Sequence, residues 1–193
     1  MNWTAIQNGS DIRGIAIEGV TGESVNLTSE VVKKIGIAFT KWVGKNFPAK
    51  QKPYNIGVGM DSRLSGPELK ASLCKSLSST GCTVWDCGLA STPAMFMSTV
   101  FDEFNFDGAI MLTASHLPFN RNGLKFFTKN GGLEKADISD ILEIAKNINI
   151  DTDEHSGVIS EVDLMSVYSN RFVQNIRNTL NAKNFLLPLK GFK

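Results

Sequence analysis

The run TASHLPFNRNGLKFF, residues 113–127, puts a hydroxyl, an imidazole and two cations into one short polar stretch. Ser115 and His116 stand side by side, and Arg121, Gly123 and Lys125 follow. Two further polar stretches carry arginine: NGSDIRG (8–14), with Asp11 and Arg13, and DSRLSG (61–66), with Asp61 and Arg63. A serine hydroxyl is a poor nucleophile at neutral pH unless a base takes its proton or it already carries a group to hand over. Handing over a phosphoryl group needs cations around the charge, because that chemistry is mostly positioning and electrostatics. Arg13, Arg63, Arg121 and Lys125, with donors from Thr113, Ser115 and His116, suit it better than they suit acyl transfer. Acyl transfer also lacks its G-x-S-x-G elbow, and side chains of neighbours such as Ser115 and His116 generally point apart. Gly57-Val58-Gly59 stops short of a dinucleotide fingerprint, since Ser62 holds the third glycine position, and no P-loop lysine pattern occurs.

The elements around these stretches read clearly. LTSEVVKKIGIAFTKWVGKNF is an amphipathic helix that Thr28 or Ser29 can cap, with Val31, Ile35, Ala38, Phe39 and Trp42 at helical spacing. YNIGVGM (54–60) is a buried strand. In SGPELKASLCKSLSSTG, Ser65 and Glu68 fit a capping box, Pro67 stands in the first turn and Gly81 lies past the end. CTVWDCG (82–88) is a second strand, STPAMFMSTVF a short helix capped by Ser91 or Thr92, FDGAIMLT (106–113) a third strand and LKFFT a fourth. NGG (130–132) is a turn and ADISDILEIAKNI a helix. HSGVISEVD is a connection, and DLMSVYSNRFVQNIRNTL is a long helix with a stripe at Leu164, Val167, Tyr168, Phe172 and Ile176.

Strand, helix, strand, helix, strand is the order of a parallel sheet with helices on its faces. In such sheets ligands sit beyond the carboxyl ends of the strands. DSRLSG, GLASTP and TASHLPFNRNG all follow strands and therefore share one rim, while NGSDIRG precedes the sheet.

Bulk properties exclude several classes. A chain of 193 residues with 42% apolar and 20% charged residues can bury a real core. Twenty basic and 19 acidic residues leave a net charge of +1, so there is no field for nucleic acid or anionic membrane and any anion site is local. Cys74, Cys82 and Cys87 contain no C-x-x-C pair, and only His116 and His155 could join them, which argues for buried thiols in a reducing compartment and against zinc. No apolar run approaches the roughly 18 residues of a membrane span, and MNWTAIQNGSD carries no targeting pattern. A soluble intracellular protein is expected, with cytoplasm and plastid both open.

Taken together, SDIRG (10–14), VGMDSRLSGPELK (58–70), STPAMF (91–96), MLTASHLPFNRNGLKFF (111–127) and the long helix after EVDLM resemble the α-D-phosphohexomutase family. The serine loop is similar to that of its plant and cyanobacterial branch. The resemblance spans nearly the whole chain. It implies a three-layer α/β/α sandwich with a mostly parallel, mixed four-stranded sheet. It also implies that residues 1–182 form the first of four domains and that 183–193 are a linker and the start of the second. Ser115 matches the phosphorylated serine, whose phosphate completes a Mg²⁺ site. Lys125 matches a lysine that assists proton transfer, Arg13 an arginine that supports the phosphoserine, and Asp61 and Arg63 a bracing pair; His116 follows the serine as in the family. The other metal ligands, in a D-x-D-x-D-R loop, belong to the second domain.

The implied activity is that of an isomerase of carbohydrate metabolism. It would interconvert hexose 1-phosphate and 6-phosphate through phosphoserine and a bisphosphate, with hexose 1,6-bisphosphate as activator and domains II–IV required. Leu117 stands where the family has asparagine, which removes an amide beside the nucleophile. The alternative is a non-catalytic phosphate-ligand or protein-binding module on the same fold. Read from the residues alone, Ser115 can also be a structural turn former, His116 an orienting partner and Arg121 a solvated loop charge.

Overall fold

The computed structural model describes residues 1–150, 157–180 and 184–191. After a 3₁₀ turn at Trp3–Ile6, the strands are β1 (Gln7–Asn8), β2 (Asp11–Ile15), β3 (Asn55–Met60), β4 (Thr83–Leu89), β5 (Gly108–Leu112), β6 (Arg121–Thr128), β7 (Gly131–Gly132) and β8 (Ile159–Glu161). The helices are α1 (Ser29–Asn46), α2 (Gly66–Ser79), α3 (Thr92–Met97), α4 (Lys135–Lys146) and α5 (Leu164–Leu180). One sheet runs in the order β1-β2-β6-β5-β3-β4-β8, with β7 beside β6. Parallel pairing is confined to β8–β4–β3–β5, and every pairing from β5 outward to β1 is antiparallel.

The central strand β5 is GAIML, buried at every position. Alternation along it sends Ile110 and Leu112 into one core, and Ala109 and Met111 into the other. The larger core gathers Ile35, Phe39, Leu73, Leu77, Ile138 and Ile141 from α1, α2 and α4. There Phe39 packs on Phe126 of β6 with ring centroids 5.1 Å apart. The smaller core lies under α3 and α5, around Met95, Phe106 and Leu164. Fully burying each such large side chain contributes roughly 1.5–3 kcal/mol, so both sheet faces are firmly covered. The α/β/α sandwich is therefore as expected.

The strand count is not. Among the described residues the sheet has eight strands rather than four. β1, β7 and β8 hold only two or three residues each, too few for alternation to register. β8 lies inside the stretch expected to be a plain connection. β2 is the larger correction: DIRGI does not precede the sheet but lies within it, antiparallel to β6.

Local signals fare well at α1, where Thr28 Oγ1 accepts from Val31 N at 3.3 Å, and at α3, where Ser91 Oγ accepts from Ala94 N at 3.3 Å. Gly81, with φ +81°, follows α2 as expected. The capping box at Ser65 and Glu68 does not form. Ser65 Oγ accepts from Asn122 Nδ2 at 2.8 Å, and Glu68 accepts from Ser29 Oγ at 2.7 Å, so tertiary partners displace the local pair. On α5 only Leu164 is buried, and Phe172 of the expected apolar stripe is 57% exposed. His155 and the expected domain boundary at 182/183 lie outside the described residues.

Candidate active site

Two loops, after β3 and after β5, and two adjacent strands, β2 and β6, form the site. The loop after β5 carries Ser115 and His116, both exposed. Ser115 has φ +58°, a left-handed conformation that costs a side-chain-bearing residue roughly 1–2 kcal/mol. The neighbours supply what holds it there. Asp61 Oδ2 accepts from Thr113 Oγ1 at 2.6 Å, and Thr113 Oγ1 accepts from Ser115 N at 2.9 Å. Asp61 N in turn donates to Leu112 O at 3.0 Å, continuing the ladder between β3 and β5 into the loops. The hydroxyl is thereby pushed outward while its backbone is pinned from below.

Arg63 grips the same loop from the side. Nη2 donates to Ser115 O and Leu117 O at 2.7 and 2.8 Å, and Nη1 donates to Pro118 O and Arg121 O at 2.8 and 3.0 Å. One planar fork thus collects four carbonyls, a geometry lysine cannot reproduce. Nε stands 3.3 Å from Asp61 Oδ2 as an ion pair without hydrogen-bond alignment. The main chain at Leu117 is secured on both sides, since its N–H donates to Ala114 O at 3.1 Å. The loop is therefore built without the missing asparagine amide.

The cations come from two adjacent strands. Asp11 and Arg13 project from one face of β2, and Lys125 projects from the facing position on β6. Asp11 Oδ2 accepts from Arg13 Nη2 at 2.9 Å and from Lys125 Nζ at 2.5 Å. Two cations against one carboxylate leave one uncompensated positive charge. Arg13 Nη1 also reaches Ala114 O at 3.3 Å, the carbonyl just before the serine. Gly123 lies opposite Arg13 and makes this possible. A Cβ there would meet Ile12 O at 2.3 Å and Arg13 Cγ at 3.0 Å.

All six residues singled out from the sequence, Arg13, Asp61, Arg63, Ser115, His116 and Lys125, fall in this region. Ser115 Oγ and His116 Nδ1 approach to 3.4 Å, so these neighbours do not point apart. Arg121 is not a solvated loop charge: its Nη2 donates to Glu23 Oε1 at 2.5 Å. Sequence reasoning passed over Thr113 as a brace, Asp11 as a shared counter-ion, and Glu23, Asn120 and Asn122 altogether. Asp11–Arg13 at i, i+2 on a strand was a legible signal; Glu23 offered none. Among the described residues, no group of three or more His, Cys, Asp and Glu could hold a metal ion.

Residues 5–155 match the family described as "Phosphoglucomutase/phosphomannomutase, alpha/beta/alpha domain I". A phosphoglucomutase/phosphomannomutase of Thermococcus kodakarensis is 42% identical over 125 residues, 64% of this chain and 25% of that protein. A phosphoglucosamine mutase of Acetivibrio thermocellus is 34% identical over 182 residues, 91% of this chain and 38% of that protein. A crystal structure of a phosphoglucomutase/phosphomannomutase family protein from Burkholderia thailandensis superposes with TM-score 0.69 at 26% identity, covering 88% of this chain and 35% of its own. The chain thus spans between a quarter and two-fifths of the length of these relatives.

Proposed function

Because the chain belongs to the phosphoglucomutase/phosphomannomutase family, as its alpha/beta/alpha domain I, we propose that Ser115 is the phosphoryl carrier of a hexose-phosphate mutase. The observation that carries this is the exposed, left-handed Ser115 set beside a cation cluster with one positive charge to spare. A phosphate on Oγ would find Arg13 and Lys125 already ordered by Asp11. Such preorganised charge is worth most where phosphoryl transfer develops its charge.

In the proposed relay, the Oγ–P bond of phosphoserine breaks and a P–O bond forms to a free hydroxyl of a hexose phosphate. The sugar hydroxyl loses its proton and Ser115 gains one. After the bisphosphate turns round, its other phosphoryl group returns to Ser115 Oγ, whose proton leaves as the product hydroxyl takes one up. His116 Nδ1, 3.4 Å from Oγ, would exchange that proton, and Lys125 Nζ serves the substrate side. Hexose 1,6-bisphosphate would act as activator by loading Ser115.

The family's Mg²⁺ finds no complete ligand set among the described residues. Asp61 is engaged by Thr113 and Arg63, and Asp11 by Arg13 and Lys125. The chemistry assigned to this chain is therefore that of Ser115 and its cations. Metal ligands and sugar-recognising groups would come from domains II–IV. No described helix is long and apolar enough to cross a membrane.

The test is intact-mass spectrometry with peptide mapping after incubation with glucose 1,6-bisphosphate and Mg²⁺. It is run on the 193-residue chain and on any longer natural chain that contains it. One phosphate on Ser115, absent in Ser115→Ala, is expected in a chain that carries all four domains. No phosphate on Ser115 in a folded chain carrying all four domains would overturn the reading and favour a binding module.

A further inference from the structure

The loop between β2 and α1 lies against the far limb of the serine loop. Ala16 N and Ile17 N both donate to Asn120 O, at 2.8 and 3.2 Å. Glu23 closes the contact: Oε2 accepts from Asn120 Nδ2 at 2.7 Å, and Oε1 accepts from Arg121 Nη2 at 2.5 Å. Asn120 is 1% exposed, and the Glu23 and Arg121 side chains are each 30% exposed. This is a partly buried, charge-assisted contact, the stronger kind of hydrogen bond. The strap is itself tied at its base, where Asn26 N and Leu27 N donate to Ile15 O and Asn26 Oδ1 accepts from Ile15 N at 2.7 Å.

Arg121 is therefore held twice. Glu23 takes its guanidinium, and Arg63 takes its carbonyl at 3.0 Å. The same Arg63 fork holds Ser115 O. Through these links the exit of β2, the strand that carries Arg13, is fastened to the loop that carries Ser115. Arg121 is an anchor in this arrangement, with its Nη2 given to Glu23.

We infer that Glu23 is a positioning residue for Ser115: it latches the returning limb of the serine loop through Asn120 and Arg121, so that Ser115 and Arg13 keep one relative placement. The catalytic consequence rests on Ser115 being the phosphoryl carrier. The ordering of the loop does not.

The experiment is amide hydrogen exchange on the 193-residue chain and its Glu23→Gln variant, followed at Leu117 and Arg121. Their N–H groups donate within the loop, to Ala114 O and Pro118 O. In Glu23→Gln these amides should exchange roughly tenfold faster, the loss expected for a charged hydrogen bond, while amides of β3 and β5 stay at wild-type rates. Arg121→Lys, which keeps a charge for Glu23, should stay closer to wild type than Arg121→Gln; this pair decides the matter if Glu23→Gln does not fold. Unchanged exchange in the loop would overturn the inference. So would equal acceleration of loop and sheet amides, which means global stability alone. Phosphate uptake by Ser115 is read in parallel and should slow in Glu23→Gln. If wild type takes up none in a chain with all its domains, the carrier reading fails while exchange still judges the latch.

Discussion

Arg63 and Ser115 are joined through the main chain: Arg63 Nη2 donates to the Ser115 carbonyl at 2.7 Å and leaves the hydroxyl free. The residue that holds the serine loop therefore does not compete for the atom that would react. Arg63→Lys keeps the charge but loses the fork. A loss of about 2 kcal/mol in unfolding free energy is expected, since several charge-assisted bonds go at once. Phosphate uptake by Ser115 should fall about tenfold or more, the factor equivalent to 1.4 kcal/mol. Denaturant midpoints and uptake rates check this, and wild-type values for both would show that the loop holds itself.

Gly123 leaves no room for even a single methyl group. Its Cβ would lie 2.3 Å from Ile12 O and 2.9 Å from Thr113 O, both backbone atoms that cannot swing away. Gly123→Ala should cost about 3 kcal/mol or more, in the range of overpacking with strand displacement. A urea midpoint close to wild type would mean that β2 and β6 can separate without penalty.

The backbone at Ser115 separates strain from chemistry. Ser115→Ala and Ser115→Gly both remove the hydroxyl and should both abolish phosphate uptake. Glycine tolerates φ +58° without steric cost. Ser115→Gly should therefore melt higher than Ser115→Ala, by the equivalent of about 1 kcal/mol. The reverse order in a thermal melt would argue against the left-handed loop.

Cys74, Cys82 and Cys87 are free and buried. Burial, reinforced by the nearby Asp86 carboxylate, pushes the Cys74 and Cys87 thiols from an ordinary 9.0 up to about 12. Native protein at pH 8 should thus react with a thiol reagent far more slowly than denatured protein. The sign of the stability effect follows from where the protons stay. Above pH 9 the unfolded chain loses thiol protons that the folded chain keeps until about pH 12, so stability falls as pH rises between these values. Cys74→Ala should show a shallower loss over that range, measured by chemical denaturation at each pH.

Apolar surface is left open on α5 and just beyond it. Phe172 is 57% exposed, and Leu186 and Leu187 are 69% and 57% exposed. Single exposed apolar residues are ordinary, but a contiguous patch drives association. The 193-residue chain should self-associate at high concentration, and Phe172→Ser should weaken this. Monodisperse monomer in light scattering at high concentration would refute the expectation.

The sequence by itself determined the elements whose causes are local. Thr28 and Ser91 cap their helices, Gly81 follows α2, and buried apolar runs mark β3 and β5, because these depend on contacts within a few residues. It also set Ser115, Arg13, Arg63 and Lys125 in polar stretches as candidates for one site. Only the tertiary structure decided how they meet. Asp11 faces Lys125 across 114 residues of chain because β2 pairs with β6 in one register, with Arg13 opposite Gly123. Ser65 abandons its cap because Asn122, 57 residues away, offers a buried donor. Glu23 carries no signal in the sequence because its partners, Asn120 and Arg121, are 97 and 98 residues on. Partners at such separations are selected by sheet register and burial, which no local pattern encodes.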